Sequence, residues 1–482
     1  MLPPPDTYDV VVVGGGPSGI FAAYGAALAG ARALLLEAGP PMADSLCPRV
    51  KLDASGRLVR ASERFRMQCP RCTCLTGLGG AAFHFDTNLG YSHALSRSKI
   101  EMDETGEIRP FSTLERALPP FDRAQRAVRE VFDLMRQHGL SASEESEPTG
   151  EPPSAVSDLF DGVDLSTSQE ITVDRALTVV DSVVTAFVEA GGEVAFHSRA
   201  TSIQAGDRFL VTAATPGRER EIAARSVVVA GGKLGMSWIR SVIGELGVAN
   251  EPTRKIDIGV RLEGARDELA PLSAWCDNPK LSFVNERGES VRTFCVCAGG
   301  RIMQYEFEDT VVLDGQHCMT KPTRRSNFGI VTTVAVPAEA DGTEYALDLA
   351  RAVSQRGGGK PVACTVGELR RDRVGDGPLD TSLIDFAHAP LSECLPGGLV
   401  RDVLAMVDRL NTAFPGMVAD TAVVAAPVVE RIYPRLVLSE HMESSVPGLY
   451  FVGDASSKVI GVTYGAATGL AAARHLVGSG RS

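Results

Sequence analysis

A basic surface is what this sequence most plainly lacks. Acidic residues outnumber Lys and Arg by 60 to 48, giving a net charge of −12, whereas nucleic acids and anionic membranes both reward the opposite sign. No apolar run approaches the length of about 18 residues that a membrane helix needs. The opening MLPPPDTYDV has neither a basic n-region nor an apolar h-region, so no secretory leader is expected. Cysteine is too sparse for a disulfide scaffold. Ten thiols in 482 residues, several in runs that read as core, predict reduced thiols and a cytoplasmic chain. Repeats of the solenoid kind are also missing. What is present is the composition of a soluble globular protein, 44% hydrophobic and 22% charged, with enough length for two or three lobes.

The clearest positive signal lies in YDVVVVGGGPSGIFAAYGAALAGARALLLEAG. Val10 to Val13 form a short apolar run, as expected of a parallel strand covered on both faces. Gly14, Gly16 and Gly19 then satisfy G-x-G-x-x-G: one glycine for the turn, one for close approach of a pyrophosphate, one for helix–strand packing. Pro17 reads as the first residue of the helix, whose N-terminus, with Ser18, faces the phosphates with unpaired N–H groups. Ala22, Ala23, Ala26 and Ala27 keep that helix thin against the sheet. A second strand ends at Glu37, about twenty residues past the glycines, where a carboxylate can accept both hydroxyls of an adenosine ribose. A solvated strand end is the plainer alternative for Glu37. The pattern predicts dinucleotide binding.

Two distant segments bear on which dinucleotide. ARSVVVAGGKLG (Ala224 to Gly235) is another buried strand followed by glycines, without the G-x-G-x-x-G order or a strand-end acid. It resembles the turn at which a strand returns to the first sheet in two-dinucleotide flavoproteins, which puts Ala230 and Gly231 beside the nucleotide. VPGLYFVGDASSKVIGVTYGAATGLAAARHLV ends a strand at Gly453-Asp454 and continues into a helix of small residues. It resembles the C-terminal motif of glutathione-reductase-like flavoproteins. That resemblance implies that Asp454 bonds a ribityl hydroxyl, and that the helix opening near Gly465 and Ala466 points at the flavin. A helix N-terminus suits the negative charge of a reduced flavin. The cofactor expected is FAD. A second strand–glycine–helix–acid unit is missing between Pro252 and Met442, so NAD(P)H is expected at most as a transient partner.

IDIGVRLE, DNPKL, RTFCVCAGGRI and RRSNFGIVTTV follow one another through the middle of the chain. With the glycine-rich stretch after Cys74 and the C-terminal motif, they resemble the bacterial FAD-dependent dehydrogenase family, itself largely uncharacterised. The resemblance covers most of the chain and is weakest from about 101 to 169. It implies an α/β fold: a glutathione-reductase-like FAD-binding Rossmann domain with an inserted mixed α+β substrate domain. The expected division is 1–247 for the main part of the FAD-binding domain, with a helical and loop insertion at about 101–169, then 248–438 for the substrate domain and 439–482 for the return to the first. Where the family carries Ser-Asp-Gly-Lys after its glycine-rich loop, this chain has AAFHFDTNLG. That departure points to a specialised substrate.

The remaining candidates each carry two readings. Cys69, Cys72 and Cys74, with Cys47 as a distant fourth ligand, can hold a metal or pass electrons as a dithiol. Alternatively they sit in a turn at the flavin edge, where Gly77, Gly79 and Gly80 let backbone approach the ring. The turn reading is favoured, and no metal is expected. Cys295 and Cys297 flank Val296 and face one way in a strand, where buried thiols are commonly inert. His84 and His317 are candidate acids or bases, or ordinary loop histidines. Lys321, Arg324 and Arg325 can clamp a carboxylate or phosphate of the substrate, or form a solvated basic turn. Tyr464, read as preceding the final helix, can reach flavin or substrate, or only pack.

The function expected is an FAD-dependent oxidoreductase exchanging a hydride between flavin N5 and a small or conjugated organic substrate in a specialised bacterial pathway. The alternatives are an NAD(P)H-fed reductase or monooxygenase, a dithiol oxidase using Cys69, Cys72 and Cys74, and a non-catalytic flavin-binding protein. The sequence leaves oligomeric state open.

Overall fold

A computed structural model describes residues 6–45, 50–52, 58–60, 75–80, 89–92, 95, 99–102, 105–140, 153–164, 168–171, 173–276, 278–317, 322–430 and 434–479. The cysteines at 47, 69, 72 and 74, His84, Lys321 and the acidic Ser/Pro-rich stretch from 141 to 152 lie outside the described residues.

Two sheets organise the chain. The first has seven strands, with Glu193–Ala195, Ala33–Leu36, Asp6–Val13 and Arg218–Val229 running parallel in that spatial order. The Arg218–Val229 strand is twelve residues long and shares its outer edge between two neighbours. Its first part pairs antiparallel with Phe209–Thr215, itself paired with Arg199–Gln204; its last three residues pair parallel with Leu449–Phe451. The antiparallel ribbon expected ahead of the returning strand is therefore part of this sheet.

Alternation along these strands decides what each face covers. Val11, Val13, Leu34, Leu36, Val227, Val229, Leu449 and Phe451 point into a core that continues into the second sheet. Val10, Val12, Ala33, Leu35, Val228, Tyr450 and Val452 point into a separate core built with helices. Strands buried on both faces read as continuous apolar runs for this reason. The helix-side core contains Pro17–Leu28, which packs closely along the final helix, Val462–Ser479. Only small residues permit that approach: a Cβ on Gly469 would lie 2.2 Å from the carbonyl oxygen of Ser18, and one on Gly25 would lie 3.0 Å from Ala473 Cβ. Helix Phe121–Gln137 lies against the final helix and Val173–Glu189 against the first.

The second sheet has eight strands in the order Ala387–His388, Val362–Thr365, Val423–Glu430, Lys255–Ala265, Arg325–Ala335, Ser290–Cys297, Lys280–Val284 and Gly162–Asp164. All pairings but the first are antiparallel. A hairpin of Arg301–Phe307 and Thr310–Gln316 lies over it. No described helix is long and apolar enough to cross a membrane.

Candidate functional site

The carboxyl ends of the parallel strands meet at one edge of the first sheet, where open α/β sheets place their ligands. Ala230 N–H donates to Val13 O (2.8 Å), Gly14 N–H to Leu36 O (2.8 Å) and Val452 N–H to Val229 O (3.1 Å). The chain then turns at Gly14, at φ +111°, where a Cβ would lie 2.4 Å from Ala230 O and 3.1 Å from Gly231 N. Gly19 is equally constrained, with a Cβ position 1.9 Å from Gly14 O. Gly16 differs. Its backbone is ordinary, φ −76° and ψ 176°, and among the described residues a Cβ there would meet nothing nearer than Gly80 Cα at 4.0 Å. The fold thus needs glycine at 14 and 19 for its own packing, whereas at Gly16 it leaves space.

Glu37 is buried and its carboxylate ties three loops together. Oε2 accepts from Gly15 N–H (2.7 Å), and Oε1 from Gly39 N–H (2.7 Å) and Gly77 N–H (3.1 Å). Among the described residues these donors take three of about four acceptor positions on a carboxylate, leaving one for a ligand hydroxyl. The glycine-rich loop lies directly on the turn: Gly79 N–H donates to Gly15 O (2.8 Å), and a Cβ on Gly80 would lie 3.1 Å from Gly16 Cα.

From the other side comes Gly453-Asp454. Gly453 has φ +60° and its Cβ position lies 2.6 Å from Ser18 Oγ. Its N–H donates to buried Thr468 Oγ1 (3.0 Å) in the final helix. That helix begins at Val462, so Tyr464 belongs to its first turn and is partly buried against the helix-side core; Ala466 is fully buried there. The N-termini of the first and final helices therefore meet around Ser18, Gly453 and Gly465. Asp454 is partly buried, and its carboxylate has no hydrogen bond among the described residues. Burial, with the charge of Glu430 added, pushes its pKa up to about 6 against the pull of Lys233. Thr463 Oγ1 is buried without a partner among the described residues.

These features fit FAD. The space at Gly16, the spare acceptor on Glu37 and the uncompensated polar groups of Asp454 and Thr463 together match a long ligand rich in hydroxyls and phosphate. The two helix N-termini favour its negative charge.

Beyond this edge the structure assembles a buried polar network that the sequence reading missed. Lys233, on a short turn after Gly231-Gly232, donates to Val429 O (2.9 Å) and reaches Glu430 (3.4 Å). Its ammonium lies 5.6 Å from the ring centre of Tyr305 and 5.5 Å from that of Phe307. Burial opposes its charge, but Glu430, Tyr305 and Asp314 outweigh that, and its pKa is raised. Burial also pushes the Tyr305 hydroxyl up to about 12. Farther in, Arg261 is fully buried, donating from Nε to Asn327 Oδ1 (3.0 Å) and from Nη2 to Cys295 O (3.0 Å), with Asp314 at 4.0 Å. The available signal was Arg261 amid the apolar residues of IGVRL, in a strand that also carries Asp257 and Glu263.

Of the other candidates, His317 follows the Thr310–Gln316 strand and is brought to Cys295 and Cys297. Arg324 has an exposed side chain, and the Arg325 guanidinium is paired with Asp380. A cavity of about 380 Å³ opens elsewhere, between helix Phe121–Gln137 and another stripe of the final helix. Its Arg123 and Arg474 are paired with Glu440 and Glu130.

No curated protein matches the chain. Among solved structures it is similar to 3-ketosteroid-Δ4-(5α)-dehydrogenase from Rhodococcus jostii RHA1 at 14% identity, over 98% of this chain and 97% of that one, with TM-score 0.42. It is similar to a flavoprotein/dehydrogenase from Cytophaga hutchinsonii at 13% identity, over 99% and 79%, with TM-score 0.40. A third likeness is to CtdE in complex with FAD, at 14% identity over 97% and 82%, with TM-score 0.33. Residues 9–256, more than half of the chain, match the family model described as FAD dependent oxidoreductase, and the chain belongs to that family.

Proposed function

We propose that this FAD-dependent oxidoreductase is a dehydrogenase of glutathione-reductase-like arrangement, reduced by its own small or conjugated organic substrate. The observation that carries the reading is the meeting of two helix N-termini around Ser18, Gly453 and Gly465, with space left beside Gly16 among the described residues. Gly14, Gly16, Pro17, Ser18 and Gly19 form the phosphate turn. Glu37 takes one ribose hydroxyl while holding Gly15, Gly39 and Gly77 in place. Gly79 and Gly80 cover the turn, Ala230 and Gly231 form its floor, and Asp454 accepts from the ribityl chain, with Gly453 and Gly465 keeping the helices close. Bound FAD supplies two-electron hydride chemistry.

The lobe built on the eight-stranded sheet is the substrate side. Lys233 remains charged and Tyr305 remains protonated, so this end of the site presents one fixed cation and one O–H donor to the reacting partner. With the N-terminus of the final helix they favour negative charge developing on cofactor or substrate. The same lobe argues against a nicotinamide domain. Among the described residues, strands 255–430 are joined antiparallel except where Ala387–His388 pairs parallel with Val362–Thr365, and no G-x-G-x-x-G turn follows that strand.

Anaerobic visible absorbance of the purified holoprotein tests the assignment. Oxidised-flavin bands should persist when NADH or NADPH is added. Rapid bleaching by either would make the enzyme a nicotinamide-fed reductase or monooxygenase instead.

A further inference from the structure

We propose that Cys295, Cys297 and His317 bind one thiophilic divalent cation of the zinc type, with the fourth coordination position open to water or a substrate oxygen. The ligand atoms come from two elements that only the fold brings together. Two thiols sit at the end of the Ser290–Cys297 strand, and the imidazole follows the Thr310–Gln316 strand of the overlying hairpin. All three lie within 4.8 Å of one another.

Regular strand geometry does not produce this arrangement. The register against Arg325–Ala335 shifts between Phe294 and Cys297, and Cys295 adopts φ +48°. A non-glycine residue there is uncommon, and bulges of this kind re-aim side chains. The result is an Sγ–Sγ separation of 3.8 Å. Two sulfurs each about 2.3 Å from a tetrahedral zinc are separated by about 3.8 Å, whereas a disulfide requires about 2.05 Å. A dithiol couple also needs no third ligand, yet the imidazole of His317 converges on the same point.

The surroundings are built around the sulfurs. A Cβ at Gly315 would lie 1.8 Å from Arg261 Nη2 and 2.7 Å from Cys297 Sγ; one at Gly300 would lie 2.7 Å from Cys297 Cβ. Arg261 Nη2 donates to Cys297 Sγ at 3.5 Å, the outer hydrogen bond that commonly orients a thiolate ligand. Charge closes as well. A divalent cation with two thiolates is neutral, and Arg261 is balanced by Asp314 at 4.0 Å. On binding, each thiol gives its proton to solvent. Cys297 is buried, while Cys295 and His317 retain partial exposure, which gives an ion a way in. Three protein ligands converge among the described residues, and three with water or substrate as the fourth is the pattern of a catalytic rather than a structural zinc site.

The test uses the holoprotein with FAD bound, reduced, freed of metal by chelator and titrated anaerobically with Co(II). Tetrahedral cobalt–thiolate d–d absorption, to the red of the flavin bands, should saturate at one equivalent and be displaced by Zn(II). It should vanish in Cys295→Ser and His317→Ala, two partly exposed positions, while their flavin spectrum reports an intact fold. A Cys69→Ser/Cys72→Ser/Cys74→Ser variant should keep it, separating this site from the N-terminal thiols. Absence of the band in protein with a full flavin spectrum would overturn the proposal. So would its persistence in Cys295→Ser, or its loss in the N-terminal triple variant alone.

Discussion

The edge of the first sheet and the buried network of the second are built in opposite ways. At the first, side chains are removed. Gly14, Gly16, Gly19, Gly80 and Gly453 bring backbone into reach, and the two acids present, Glu37 and Asp454, are either tied to amides or left with free acceptor capacity. At the second, large charged side chains are buried or half-buried and held by partners: Lys233 by Glu430, and Arg261 by Asn327 and Asp314. Under the proposed function, the first region is a mould for a ligand much larger than any side chain, and the second holds fixed charges whose positions are set before any substrate arrives.

The comparison predicts that loss of a buried partner in the second region damages the fold itself. Arg261→Leu leaves Asn327 Oδ1 and Cys295 O without their donor and Asp314 without its paired cation, and should cost about 3–5 kcal/mol, read by chemical denaturation of the apoprotein. A change as small as that of a surface arginine would break the distinction. In the first region, Gly19→Val should cost about 3 kcal/mol, because its Cβ would overlap Gly14 O and the backbone must move. Glu37→Ala strips the acceptor from three buried or partly buried N–H groups and should cost about 1–3 kcal/mol in the apoprotein as well as FAD retention.

Asp454 gives the smallest effect and a defined pH dependence. Its folded pKa, about 6, lies above the unfolded value of 3.8. Between these values the folded state binds the additional proton, so this group makes the apoprotein less stable as pH rises through the window. Asp454→Asn should therefore raise apoprotein stability at pH 7.5 by about 1–2 kcal/mol and leave it unchanged at pH 4. Equal effects at both values would contradict the burial argument.

This contrast also explains what was legible in the sequence. The phosphate turn could be read because its requirements are local: a strand, a glycine at positive φ and a thin helix occupy consecutive residues. Asp454 was readable only through a motif resemblance, since the residue before it, Gly453, meets Ser18 from the other end of the chain. The network of Lys233, Tyr305, Asp314 and Glu430 left no local pattern. Lys233 and Glu430 are 197 residues apart and meet because two sheets share a core. Cys295 and Cys297 were placed on one face by strand alternation. The bulge and the approach of His317 depend on pairings that periodicity does not encode. Glu37 was found, but the three amides that occupy most of its carboxylate were not, because Gly39 and Gly77 come from loops whose path the sequence leaves unspecified.

The most direct test of the mould is Gly16→Val, with flavin content and the thermal midpoint of the apoprotein measured together. The space at Gly16 predicts a protein that loses FAD while its apoprotein melts with the wild type. Full flavin occupancy, or a fall in midpoint as large as that of Gly19→Val, would contradict the account.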